Sequence, residues 1–375
     1  MNTNYDILVA GAGPSGVSCG ITLQKKGVKC CLIDKEKFPR EKLCGGLLTY
    51  KAYNKILELT DGNTDIVDAA TLQVVSRVSI ARNTEILNSS NVDIPIRIID
   101  REILDGGLVS YYKRIGGVIK EEEIYKNYNL DDKIVQSDKD KYKVKYFVKA
   151  IGASSKSNNT NIGFCLETFI KKEDVSLEEK DAVIIDFGII DKGYAWIFPS
   201  GKYYKIGFGN LYNKDFDYKK RFIEYLKQLN VKNYEKYQIK GAFVPYGRCE
   251  NKHNIDDFCI LLGDQAGMTD PLYGEGLYFA CKTGIVLANT LNERLNNQTL
   301  DYDNRINSDK KQVNNGYKLK TIFFNRIIQM IFAFIIKRKK KLIKFYVDEQ
   351  VSQYKYSHND IFGLALGYKR HNHEI

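Results

Sequence analysis

A carboxylate beside glycine-rich backbone can hold a phosphorylated sugar, and this chain carries that combination twice. The first is Gly11-Ala12-Gly13-Pro14-Ser15-Gly16, with Asp34 closing the next apolar run. The second is Leu262-Gly263-Asp264-Gln265-Ala266-Gly267, followed by Asp270-Pro271-Leu272-Tyr273-Gly274-Glu275-Gly276 and an apolar segment. Backbone N–H groups of a glycine turn satisfy pyrophosphate oxygens, and a carboxylate accepts hydrogen bonds from ribose hydroxyls. A second Gly-Asp segment so distant in sequence implies one extended ligand gripped at its other end, where Asp264 meets a ribityl chain. The expected ligand is FAD.

Local elements must position these groups. Tyr5-Asp6-Ile7-Leu8-Val9-Ala10 reads as a buried parallel strand and residues 17–26 as a helix, so the glycines fall at a strand-to-helix turn. Gly11 permits the turn, Gly13 lets phosphate approach the backbone, Ser15 opens the helix, and Gly16 allows close helix-on-strand packing. A second strand, Val28-Lys29-Cys30-Cys31-Leu32-Ile33, delivers Asp34, which suits a free ribose 2′-hydroxyl and repels a 2′-phosphate. Residues 258–262 form the strand before Asp264, and the 271–276 loop opens a helix over 277–291. The N-terminus of that helix carries roughly half a positive charge and stabilises negative charge on a flavin's pyrimidine edge. The alternatives are a glycine turn in an ordinary α/β domain and Asp264 as a turn cap.

Further residues join these in a recognisable order. Phe38-Pro39-Arg40-Glu41-Lys42-Leu43-Cys44-Gly45-Gly46, then Arg101 with Asp105 and Leu108, then Tyr194-Ala195-Trp196-Ile197-Phe198-Pro199 stand between the two glycine motifs. With them the chain resembles the geranylgeranyl reductases, FAD-dependent enzymes of the para-hydroxybenzoate hydroxylase-like superfamily, over residues 4 to 300 or so. The Lys-x-Cys-Gly-Gly and Tyr-x-Trp-x-Phe-Pro segments are its most family-specific parts. The resemblance implies an α/β fold: a Rossmann-like FAD-binding domain with an inserted antiparallel β-sheet substrate domain and a C-terminal helical region. The expected division is 1–60, 97–155 and 250–300 for the FAD-binding domain, 61–96 and 156–249 for the substrate domain, and 301–375 for a basic helical region.

The resemblance also implies roles. Cys44 and Gly45 border the flavin, with Cys44 a candidate proton donor, while Arg40 and Arg101 approach the ribityl-pyrophosphate region. Gly263, Asp264, Gly274, Glu275 and Gly276 complete the cofactor site. Read without the family, Cys44 is a small hydrophobe, Arg40 a solvated loop charge, and Arg101 with Asp105 an i,i+4 ion pair worth about 0.2–0.5 kcal/mol. One segment departs from the superfamily's Ala-Asp-Gly: here Lys149-Ala150-Ile151-Gly152-Ala153-Ser154-Ser155 puts Ile151 where an acid stands. Direct reduction by NAD(P)H is therefore in question, and ferredoxin or another flavoprotein is an alternative electron donor.

Tyr194, Trp196 and Phe198 alternate, so on a strand they share one face. Such an aromatic wall suits an isoprenoid or other apolar chain, or else an ordinary core. The four histidines, His253, His358, His371 and His373, are late or isolated, and no catalytic or structural metal is expected.

At 375 residues the chain is long enough for two domains with additions. Eight cysteines lack any C-x-x-C pair and no signal peptide precedes the first strand, so the expected compartment is the cytoplasm. From Asp301 onward fifteen Lys or Arg oppose seven Asp or Glu, which supplies +8 of the net +11. That basicity is read as compositional bias, and no nucleic-acid partner is expected. Residues 321–336 are apolar but include Asn325, Arg326 and Gln329, and they fall short of the roughly 20 apolar residues that span a bilayer. With Lys337-Arg338-Lys339-Lys340-Lys341 they form either a peripheral membrane contact or a helix covering the substrate domain.

The expected function is FAD-dependent reduction of carbon–carbon double bonds in a lipid-like or prenylated substrate. The alternative is a flavin-dependent monooxygenase acting on an aromatic or polyketide-like substrate, distinguished by oxygen consumption coupled to hydroxylation. A non-enzymatic prenyl-binding carrier is a third reading, distinguished by a protein that never takes up flavin.

Overall fold

The computed structural model describes residues 4–153, 162–245, 249, 253, 256–298, 301–339, 341–353, 360 and 363. Five short strands, Cys259–Leu261, Tyr146–Lys149, Ile7–Ala10, Cys30–Ile33 and Val118–Lys120, lie side by side in that order, all parallel. Ile7–Ala10 and Cys30–Ile33 are apolar at every position and buried at every position, as a sheet covered on both faces requires. One cover is helical. Helix Pro14–Lys25 follows the glycine turn with proline in its first turn, and helix Leu277–Leu295 packs against it. A Cβ at Gly284 would stand 2.6 Å from the Ser15 carbonyl oxygen, so only glycine lets these helices meet at that spacing.

The other cover is a three-stranded meander, Tyr125–Asn129, Ile134–Ser137 and Lys141–Lys143, which sequence reading did not foresee. Its strands are short and polar on their outer face. Only Val135 and Tyr142 among them are buried hydrophobes, packing with Leu8, Cys31 and Phe147.

A second sheet has eight strands in the order Lys240–Pro245, Ile162–Lys171, Tyr203–Leu211, Gly193–Ser200, Val183–Phe187, Thr71–Arg82, Glu85–Ile99 and Leu47–Leu48. It is antiparallel apart from one parallel junction between Val183–Phe187 and Thr71–Arg82. Thr71–Arg82 and Glu85–Ile99 make one long hairpin. Its turn residues Asn83 and Thr84 both have positive φ, 52° and 70°, which matches the right-handed strand twist. Alternation divides the strand Gly193–Ser200: Ala195 and Ile197 pack beneath helix Tyr218–Gln228, while Tyr194, Trp196 and Phe198 face the opposite way.

Residues 321–336 are not one element. Helices Asn307–Phe323 and Arg326–Arg338 meet at 98°. Asn325 causes the break: its side-chain oxygen accepts from the N–H groups of Ile327 and Ile328, so it caps the second helix instead of continuing the first. Phe332 and Ile336 turn inward onto the second sheet. Ile327, Met330, Ile331 and Phe334 remain 68, 59, 47 and 55% exposed. Among the described residues no single helix is long and apolar enough to cross a membrane.

Gly284→Ala is expected to cost about 1–3 kcal/mol, because the added methyl overpacks the contact between the two helices. Thermal unfolding and retained flavin, measured together, check this; an unchanged midpoint refutes the close-packing account.

Candidate functional site

The glycine turn is built by close approach. Gly11, at φ 104°, lies so near the neighbouring strand that a Cβ would stand 2.2 Å from the Ala150 carbonyl oxygen. At Gly16 a Cβ would come within 1.8 Å of the Gly11 carbonyl oxygen. Gly13 is different: its absent side chain leaves space, with Arg40 Nη2 the one neighbour at 3.6 Å. Asp34 braces the turn by accepting from the Ala12 N–H at 2.6 Å and the Glu36 N–H at 2.9 Å, while its carboxylate lines the adjoining cavity.

Positive charge gathers beside that turn. Arg101 donates twice to Asp105, Nε to Oδ1 and Nη2 to Oδ2, both at 2.9 Å. Arg40 reaches the same carboxylate, with Nη2 3.4 Å from Oδ2. Asp105 is fully buried, so this is more than a surface i,i+4 pair: one carboxylate holds two guanidinium groups, and both line the cavity. The surplus positive charge suits a diphosphate. Arg101 also faces the Cys44 thiol, which accepts from the Gly46 N–H at 3.4 Å.

The distant segment closes on the first. A Cβ at Gly263 would lie 2.6 Å from Ser15 Oγ, and the Leu262 N–H donates to the Lys149 carbonyl at 3.0 Å. Asp264 lines the cavity and accepts from Thr269 Oγ1 at 3.3 Å. The next loop is held at both ends. Asp270 N–H donates to the Glu275 carbonyl at 2.8 Å, Gly274 N–H donates to the Asp270 carbonyl at 2.9 Å, and Asp270 Oδ1 accepts from the N–H groups of Leu272 and Tyr273. Glu275 accepts from Thr49 Oγ1 and pairs with Lys51 Nζ at 2.7 Å, both partners being nearly fully buried. Its carboxylate thus fastens the loop, and Gly276 is left to cap helix Leu277–Leu295 at the cavity wall.

A single cavity of about 1060 Å³ runs past all of these groups. It is lined by Gly11, Gly13, Ser15, Asp34, Arg40, Cys44, Gly45, Arg101, Asp264, Gly274, Glu275 and Gly276, and further along by Tyr194, Trp196 and Phe198. Gly16 and Gly263 stand behind this surface as spacers. The donor set fits FAD: an open glycine turn with a ribose-type acid, two arginines for the diphosphate, and a second acid and helix N-terminus for the flavin end. Cys44-Gly45 meets the aromatic wall directly, since a Cβ on Gly45 would stand 2.8 Å from the Phe198 ring. Ile151, 41% exposed, lines the cavity without offering a hydrogen bond.

The wall includes two groups that sequence reading missed. Cys165 and Glu167, two residues apart on strand Ile162–Lys171, also line the cavity. Glu167 is 2% exposed and accepts from Trp196 Nε1 at 3.2 Å. Burial pushes the Glu167 carboxyl up to about 7, partly opposed by Lys205 and the Trp196 hydrogen bond. Burial also pushes the Cys165 thiol up to about 12. Apolar alternation along Gly163-Phe164-Cys165-Leu166-Glu167 gave no hint of a site, because the signal is a buried acid on a strand face that only sheet pairing defines.

Among the described residues no three His, Cys, Asp or Glu gather as metal ligands. His253 is buried against Cys249 Sγ at 3.1 Å, whereas His358, His371 and His373, like Ser154, Ser155 and Lys340, lie outside the described residues.

A family model described as an FAD binding domain matches residues 4–46. The chain is 26% identical over 355 residues to a digeranylgeranylglycerophospholipid reductase of Methanococcus aeolicus, covering 85% of this chain and 84% of the relative. It is 23% identical to the chloroplastic geranylgeranyl diphosphate reductase of Oryza sativa, covering 76% and 66%. Among solved structures, a geranylgeranyl bacteriochlorophyll reductase-like protein from Thermoplasma acidophilum superposes with a TM-score of 0.69 at 20% identity, covering 98% and 97%. A flavin-dependent brominase superposes with a TM-score of 0.68 at 17% identity, covering 98% and 99%. These two structures share the fold.

Lys51→Met removes one partner of a buried ion pair and strands Glu275 as an uncompensated charge, so stability is expected to fall by about 3–5 kcal/mol. Because Glu275 closes the loop next to Gly276, flavin retention should fall with it. Denaturant unfolding and flavin content report both; a variant as stable as the parent overturns the loop-fastening role.

Proposed function

We propose that this FAD-dependent oxidoreductase, similar to the geranylgeranyl reductases over most of its length, reduces carbon–carbon double bonds of a lipid-like, prenylated substrate. The observation that carries this reading is continuity: the cavity that holds the cofactor groups extends without interruption along Tyr194, Trp196 and Phe198 and on to Phe323, Phe332 and Ile336. An apolar chain fits such a passage, and apolar contact alone positions it, since an isoprenoid offers no group for directional hydrogen bonds. Bound FAD supplies the two electrons and one of the two hydrogens added across the double bond. The chain supplies placement. Arg40 and Arg101 hold the diphosphate, the wall orients the alkene, and Gly45 lets the Cys44 loop lie against Phe198.

Ile151 bears on the source of electrons. Without a carboxylate there, a nicotinamide ring lacks a partner for orientation, and a ferredoxin or another flavoprotein is the better donor. Flavin reduction by NADH or NADPH is expected to be slow beside reduction by a low-potential one-electron donor; rapid, saturable reduction by either nicotinamide refutes this.

Helix Arg326–Arg338 bears on access. Its inner face lines the cavity through Phe332 and Ile336, its outer face presents Ile327, Met330, Ile331 and Phe334, and Arg326, Lys337 and Arg338 stand at its ends. An apolar stripe flanked by cations suits the surface of an anionic bilayer. The wild type is expected to float with vesicles containing anionic phospholipid, and Ile327→Asp with Phe334→Asp should lose most of the bound fraction while keeping FAD. Equal flotation of the double variant counts against membrane contact.

The central experiment is anaerobic reduction of the flavoprotein followed by presentation of polyprenyl lipids. Flavin reoxidation with a mass gain of two hydrogens per reduced bond is the expected outcome. Reoxidation that requires oxygen and yields hydroxylated product instead supports the monooxygenase reading, which the brominase-like fold keeps in view.

A further inference from the structure

Alkene reduction adds two hydrogens but the cofactor delivers only one of them, so a proton must come from a group that reaches the cavity. We propose that Glu167 is that proton donor, an inference that rests on the function proposed above. Three strands place it. In the register of the second sheet Glu167 lies opposite Gly207, and Gly207 lies opposite Trp196. A Cβ at Gly207 would stand 2.4 Å from Trp196 Cζ2, so the missing side chain lets the indole lie across the middle strand and donate its N–H to Glu167 Oε2 at 3.2 Å. The other carboxyl oxygen has no hydrogen-bond donor among the described residues. Glu167 therefore lies at the cavity surface with one oxygen committed to the wall that orients the substrate and the other available for a proton.

The neighbouring groups are less suited. Tyr194 donates its hydroxyl hydrogen to the Tyr273 carbonyl at 2.5 Å, and Lys205 Nζ donates to the Ile99 carbonyl at 3.1 Å. Cys165 is held protonated far above neutral pH by burial, which makes it a weak acid. The Cys44 sulfur is already engaged by the Arg101 guanidinium and by the Gly46 N–H at 3.4 Å. Lys205 and Cys165 are the titratable groups that act on Glu167 electrostatically and Trp196 hydrogen-bonds to it; burial outweighs the Lys205 charge, so near pH 7 a protonated carboxyl is available and can also release its proton. For the step to balance, the alkene π bond is replaced by two C–H bonds: a bound reduced flavin would supply a hydride, one proton with two electrons, the Glu167 O–H would supply the other proton, and the carboxylate left behind would regain a proton from solvent.

Trp196 is the one tryptophan of the chain, so it provides a built-in reporter of its carboxyl partner. In holoenzyme labelled at tryptophan nitrogen, the single indole N–H resonance should titrate with a midpoint near 7 in the wild type and not in Glu167→Gln. Glu167→Gln keeps the shape and the acceptor for Trp196 while removing the proton, so FAD content, thermal midpoint and the rate of chemical flavin reduction should be unchanged. Reoxidation by alkene substrate should slow by about a hundredfold to ten-thousandfold. Glu167→Asp should retain part of the rate and a titrating indole signal, which a purely structural role does not predict. A Gln variant that reoxidises within a few-fold of the wild type, or an indole resonance that does not titrate near neutrality, overturns the assignment. A wild-type enzyme that never reoxidises with any alkene overturns the functional reading itself, an outcome distinct from failure of the variant.

Discussion

The site depends on one close contact between segments at opposite ends of the sequence. Ser15, at the start of the first helix, touches Gly263 through its side chain and Gly284 through its carbonyl. Neither position accepts a Cβ, because one placed at either glycine would stand 2.6 Å from a Ser15 oxygen, well inside ordinary van der Waals contact. The strand Tyr146–Lys149 ties the same two segments together, pairing with Ile7–Ala10 on one side and Cys259–Leu261 on the other. With that seam closed, the Gly11–Gly16 turn and Asp264 become neighbours along one cavity. Opened, they are two unrelated glycine loops.

Charge is arranged around the seam in two ways. Beside the glycine turn, Asp105 neutralises only part of what Arg40 and Arg101 bring, and both guanidinium groups line the cavity. In the loop before helix Leu277–Leu295, Glu275 is matched by Lys51 and Thr49, so it contributes rigidity and no net field. The difference follows from stoichiometry: two cations on one anion attract an anionic ligand, whereas a matched buried pair simply holds a loop. Glu167 is a third case, an acid in an apolar wall whose carboxyl burial raises to about 7, so that it is partly protonated near neutral pH. Its contribution to stability has a defined sign. A carboxyl whose folded-state affinity for protons is raised favours the folded form at low pH and loses that contribution as pH rises through about 7.

The cavity lies between the second sheet and the C-terminal helices, both of which line it. Residues of alternate parity on five adjoining strands, including Cys165, Glu167, Trp196, Ile185 and Ile80, form one lining face, while their neighbours pack under helix Tyr218–Gln228. Helix Arg326–Arg338 then closes the apolar end with Phe332 and Ile336. Its outer apolar stripe is left exposed by the same amphipathic period that seats the inner one.

Much of this was legible in the chain itself. Glycine at 11 and 16 between an apolar strand and a helix, with an acid at 34, reads as a dinucleotide turn because a Cβ at either position would strike backbone, while glycine at 13 leaves open space beside it. The alternation of Tyr194, Trp196 and Phe198 specifies a shared face because a strand has a period of two. Local rules stop where meaning depends on a partner. Asp105 as the shared anion of two arginines, Glu275 as a loop fastener, and Asn325 as the break between two helices are each set by groups distant in sequence or by competition between neighbouring hydrogen bonds. Glu167 is the clearest instance. By itself it is one acid in an apolar strand; sheet register, a glycine gap and a single indole turn it into a buried acid facing a cavity, and register is a property of tertiary pairing that no local pattern contains.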